Sequence, residues 1–101
     1  MSEQELVIVA TPGFIGHDTA AQNVFIAQSL NLLGHMAGEE AEEPISWVIG
    51  DPERAPDSDI AFEDERRTAR VYASFRAYAI LDYGAGPDGK DLITFLLPHE
   101  Y

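Results

Sequence analysis

Arg70-Val71-Tyr72-Ala73-Ser74-Phe75-Arg76-Ala77-Tyr78-Ala79-Ile80-Leu81-Asp82-Tyr83 decides how this chain is read. Its alanines invite a helical reading, but its periodicity does not. Val71, Ala73, Phe75, Ala77, Ala79 and Leu81 are apolar, and Tyr72, Ser74, Arg76, Tyr78 and Asp82 fall between them. A period of two over a dozen residues is the signature of a strand with one buried face. Gly84-Ala85-Gly86-Pro87-Asp88-Gly89-Lys90 follows as a turn, and Asp91 to Leu97 returns as the second arm of a hairpin.

Working outward, Leu6-Val7-Ile8-Val9-Ala10 is short, apolar and β-branched, and reads as a strand buried on both faces. Thr19-Ala20-Ala21-Gln22 has the form of a capping box, with Asp18 as an alternative N-cap. A helix is expected from Thr19 to Ala37, closed by Gly38, with Ile26, Leu30, Leu33 and Ala37 as its apolar stripe. Ile45 to Ile49 reads as another strand. Asp51 to Glu65, rich in Pro and Asp, reads as an exposed loop with a helical turn near Ile60 to Glu65. The expected fold is α+β, in the order β-α-β-β-β. One helix packs on a roughly four-stranded sheet with a long C-terminal hairpin, in a single domain spanning residues 1–101.

Charge is the second strong signal. The 101 residues hold 18 acids and 6 bases, a formal net charge of −12. Eleven of the acids lie between Glu39 and Glu65, against Arg54 alone. Such a field repels nucleic acid and anionic membrane and attracts basic protein surfaces. There is no cysteine, which excludes disulfides, thiol catalysis and Cys-based zinc sites. Met1-Ser2-Glu3-Gln4-Glu5 has no basic n-region, and no apolar run approaches the ~20 residues of a membrane span, so a cytoplasmic protein is expected.

Val9-Ala10-Thr11-Pro12-Gly13-Phe14-Ile15-Gly16 resembles the glycine fingerprint of extended short-chain dehydrogenases and sugar-nucleotide epimerases, TGxxGFIG. That resemblance implies a nucleotide-binding turn between strand and helix. Val9 and Ala10 stand where the fingerprint has Thr and its first Gly, and no YxxxK pair occurs in the chain. The glycines are therefore read as shaping a tight turn. His17, His35 and His99 have no ligand spacing, and Asp57-Ser58-Asp59 opens like a calcium loop without continuing as one. No catalytic, cofactor-binding or metal-binding residue is assigned.

The expectation is a non-enzymatic acidic protein that inhibits a basic, nucleic-acid-handling protein. In charge and size it is similar to anti-CRISPR, anti-restriction and immunity proteins of phages and bacteria. The candidate partner-binding residues are Glu39, Glu40, Glu42, Glu43, Asp57, Asp59, Glu63 and Asp64, with Tyr72, Arg76 and Tyr78 as a second surface. The alternatives are a small nucleotide- or metabolite-binding domain using the Gly13–Gly16 turn, and a homo-oligomeric module joined through the Tyr72/Tyr78 face or an edge strand. A mobility-shift titration with DNA and RNA at low salt, where electrostatic attraction is strongest, is expected to show no saturable binding.

Overall fold

The middle of the sheet presents small residues on its inner face, and four phenylalanine rings gather over it. The computed structural model describes residues 6–101. The strands are β1 (Leu6–Ala10), β2 (Trp47–Asp51), β3 (Ala61–Glu63), β4 (Thr68–Tyr72), β5 (Ala77–Asp82) and β6 (Asp91–Leu96). A single helical turn, α1 (Pro12–Ile15), and the main helix, α2 (Thr19–Leu32), lie between β1 and β2. The strands form one six-stranded mixed sheet in the order β1-β6-β5-β2-β4-β3. The α+β class holds, but the sheet is wider than the four strands expected.

Ala69, Ala77, Ala79, Val48 and Gly50 are buried on the face under α2. Phe25 of α2 rests on Gly50, where an added Cβ would lie 2.9 Å from the ring and 2.8 Å from Ala73 Cβ. Phe14, Phe75 and Phe95 join Phe25, with ring centroids 5.4 to 6.3 Å apart in tilted and edge-on contacts. His17 stacks on Phe75 at 4.3 Å. Aromatic contacts of this geometry add to the burial of the rings themselves.

The fourteen residues 70–83 do not form one strand. Residues 73–76 turn between β4 and β5, which lie on opposite sides of β2. β2 pairs parallel with β4 (Asp51 beside Tyr72) and antiparallel with β5 (Ile49 beside Tyr78). Burial still alternates through the turn, because Ala73 and Phe75 are buried while Ser74 and Arg76 are exposed. The phase was therefore right and the straight path was wrong. The hairpin arm is found as expected: β5 pairs antiparallel with β6, Ala79 beside Phe95.

Three other elements differ from expectation. β1 is an edge strand with Leu6, Ile8 and Val9 exposed, because it pairs only with β6 and lies beyond the helical layer. The helix stops at Leu32, because Gly34 takes φ +85° and its N–H donates to Ile45 C=O at 2.8 Å. Asp18 is the N-cap, accepting from Ala21 N–H at 3.1 Å. The buried stripe therefore centres on Phe25 and Ser29, and Leu30 of the expected stripe is partly exposed. Near residue 60 there is a short strand, β3, where a helical turn was expected.

Two substitutions test this arrangement. Phe75→Ala removes a ring from the cluster and is expected to lower stability by ~3–5 kcal/mol in urea unfolding. Gly50→Val is expected to cost ~1–3 kcal/mol, because no space exists between Phe25 and Ala73. Asp57→Ala, in the exposed loop, should unfold at the wild-type midpoint.

Candidate functional site

The Gly13–Gly16 turn is filled by the chain itself. Thr11 Oγ1 donates to Glu100 Oε1 at 2.5 Å, and Leu97 N–H donates to the same oxygen at 2.9 Å. Gly13 N–H donates to Glu100 Oε2 at 3.0 Å. A Cβ at Gly13 would lie 2.6 Å from that carboxylate, so glycine lets the carboxylate approach the backbone and a larger residue would displace it. These hydrogen bonds, led by the one from Thr11, hold the Glu100 carboxyl below its ordinary value. The spot where a nucleotide phosphate would seek backbone N–H groups already holds a carboxylate.

The acids separate into two ends of the sheet. At the end where β2 and β4 begin, the loop carrying Glu39, Glu40, Glu42 and Glu43 meets the β3–β4 turn carrying Asp64 and Glu65. Buried Ala37 and Ala41 anchor that loop, leaving its glutamates exposed. Glu40, Glu42, Glu65 and Arg66 line a shared open groove of about 390 Å³. Asp64, Glu65 and Arg66 take φ of 54°, 59° and 71°, three successive left-handed residues without a glycine. Each such residue costs ~1–2 kcal/mol. Two arginines hold the turn: Arg66 Nη1 donates to Ala37 C=O at 2.8 Å, and Arg67 lies 3.5 Å from Glu43 and 3.6 Å from Asp64. Arg66 also covers the Phe62 ring, 5.6 Å from its centroid. Glu39, Glu40, Glu42 and Glu65 have no ion pair among the described residues.

At the other end the acids are engaged. Asp51 lies 3.5 Å from Arg70 and 3.6 Å from Arg76, and Glu53 bonds Arg76. Glu63, beside Thr68 at the first end, is engaged as well: Arg70 Nε donates to its Oε2 at 2.6 Å and holds its carboxyl below the ordinary value. Asp57 and Asp59 are exposed in the loop that follows Asp51, and Arg54 donates to the Asp59 backbone carbonyl.

The candidate residues are thus dispersed. Glu39, Glu40, Glu42, Glu43 and Asp64 come together. Asp57 and Asp59 stand apart from them, and Glu63 and Arg76 serve internal ion pairs. Tyr78 contacts Trp47 edge-on at 5.4 Å and Tyr101 at 6.0 Å. Tyr72, half-buried, borders two grooves of about 330 and 220 Å³ beside α2. Sequence reading missed Glu65, which is followed directly by Arg66-Arg67 in the chain. It also missed Glu100, whose partners lie at the other end of the chain. Neither carries a local signal.

Among the described residues, no three His, Cys, Asp or Glu side chains are placed to hold a metal ion. No helix among them is long and apolar enough to cross a membrane. Comparison with protein-family models, curated proteins and solved structures finds no match to this chain.

Glu100→Gln tests the filled turn. A carboxyl whose folded value is depressed stabilises the fold above its unfolded value and loses that effect as pH falls through the folded one. At pH 7 the variant is expected to melt below wild type. The gap should narrow as pH falls below the ordinary value of 4.5. A pH-independent gap would show that the carboxylate charge plays no part.

Proposed function

We propose that the protein is a non-enzymatic acidic binder that occupies the basic surface of a nucleic-acid-handling protein and inhibits it. The observation that carries this reading is the convergence of Glu40, Glu42 and Glu65, from two separate loops and with Glu39 next to Glu40 in the chain, beside a strained turn clamped by Arg66 and Arg67. Carboxylates needed only for solubility require no fixed arrangement. Here the backbone accepts left-handed strain at the turn that carries one of them, and strain of this kind clusters at working sites. Spaced carboxylates satisfy a Lys/Arg groove shaped for phosphates. Glu43 and Asp64 orient Arg67 and belong to the frame of this surface.

The surface acts through many weak contributions, since one exposed carboxylate contributes ~0.2–1 kcal/mol. Together they steer association and set its salt dependence. Asp57 and Asp59, at the other end of the sheet, form a separate patch, and Tyr72, which shares a groove with Pro56 and Ser58, is its aromatic neighbour on β4.

The test is capture of basic proteins on the immobilised chain, followed by kinetics with the retained protein. Replacing Glu39, Glu40, Glu42 and Glu65 together with Gln is expected to slow association about tenfold and flatten its salt dependence. Thermal stability should be nearly unchanged. The Asp57→Asn/Asp59→Asn pair should have a smaller effect. Wild-type rates and salt slope in the quadruple variant would remove the acidic surface from the mechanism.

A further inference from the structure

The two edges of the sheet are built differently. β3 has only three residues; its Phe62 is covered by Arg66 and its Glu63 is paired with Arg70. Short length and charge are the usual protection of a sheet edge. β1 has five residues, no charge and no proline, and its outer side has no partner strand among the described residues. Leu6, Ile8 and Val9 are 44%, 46% and 42% exposed.

Backbone geometry fixes how this edge can be completed. Thr11 N–H donates inward to Phe95 C=O at 3.0 Å. Backbone groups alternate along a strand, so Val7 and Val9 also face β6. Leu6, Ile8 and Ala10 therefore direct their N–H and C=O groups outward. This row is symmetric about Ile8. A second β1, antiparallel on a two-fold axis at Ile8, sets Ile8 against Ile8 and Leu6 against Ala10, with about six new hydrogen bonds. The same residues place their side chains on the helix side of the sheet, since Ile8 lies beside buried Ile93. There Leu6 lines a groove of about 240 Å³ with Leu30, Leu33, Tyr83 and Asp91.

We infer that β1 is a self-association edge, through which two copies of this chain join antiparallel into one continuous sheet. The exposed side chains of Leu6, Ile8, Val9, Leu30 and Tyr83 offer on the order of 450 Å² per copy. Two copies together thus offer roughly 900 Å², near the ~1,000 Å² that a specific interface needs. Charge opposes contact between copies over most of the surface and least at this edge. Two chains of −12 repel one another over most of their surfaces, and β1 itself brings no charge into the contact. The surface lies apart from the acidic loops and leaves them free in both copies.

Sedimentation of the full chain at ~100 µM is expected to give twice the chain mass. Dimer should increase as NaCl rises from about 20 to about 300 mM, because salt screens the repulsion. Binding through the acidic loops would weaken over the same range. Ile8→Lys should sediment as monomer with an unchanged circular dichroism spectrum. The chain lacks cysteine, so Ile8→Cys gives a single thiol, and paired strands bring the two within ~5.5 Å at Cα, inside disulfide reach. Oxidation should cross-link it as a dimer, while Val24→Cys, exposed on α2, stays uncross-linked. A monomer at both salt concentrations would overturn the inference, as would assemblies larger than a dimer. So would a dimer indifferent to Ile8→Lys, or equal cross-linking at positions 8 and 24. If Ile8→Lys fails to fold, the wild-type mass and the position-8 cross-link decide.

Discussion

Four phenylalanine rings resting on alanine and glycine hold this molecule together. Phe14 comes from the turn after β1, Phe25 from α2, Phe75 from the β4–β5 connection and Phe95 from β6. Beneath them the strands present Gly50, Ala69, Ala77 and Ala79. Large-on-small packing lets a single helix cover the middle of a broad sheet, because the rings, packed against one another, sink toward the strand backbones beneath them. It also limits what the helix can cover. The layer ends before β1, and the apolar residues of that strand remain in contact with water.

The sequence recorded burial far better than direction. Alternation from Val71 to Leu81 identified which side chains face inward, and every one of those alternate residues is buried. The chain nevertheless crosses the end of β2 at Ser74 and Phe75, without a glycine or proline to mark the turn. A period of two carries facing information and nothing about neighbours, so β2 could not be placed between the two halves. The same blindness affected β1. A short apolar run signals that a strand is apolar on both sides and does not say whether the sheet continues past it. Helix length failed for a different reason. Gly34 and Gly38 are both left-handed, and the first is the one that Ile45 engages. That choice is made by tertiary contact, beyond the reach of local propensity.

The candidate site was half legible. The density of acids between residues 39 and 65 was visible at once, and their exposure followed from loop composition. Which acids remain available depends on the arginines. Arg70 and Arg76 engage Asp51 and Glu53 at one end of the sheet, Arg70 also reaches back to Glu63, and Arg66 turns away from the carboxylates to hold Ala37. Only folding distributes five arginines this way, and the uncompensated remainder is what a partner meets.

The contact of Thr11 with Glu100 joins positions 89 apart in the chain, and the parallel pairing of β1 with β6 lies beside it. This has a consequence during synthesis. Translation proceeds at ~5–20 residues per second, so Leu6–Ala10 waits on the order of ten seconds before β6 exists to receive it. Through that interval the most apolar strand of the chain is without its partner. Contacts of such long range also make folding slow, since the loop must close before they reward it. β1 therefore cannot take its place in the sheet until β6 has been made, and until then its apolar side chains face whatever surrounds the nascent chain.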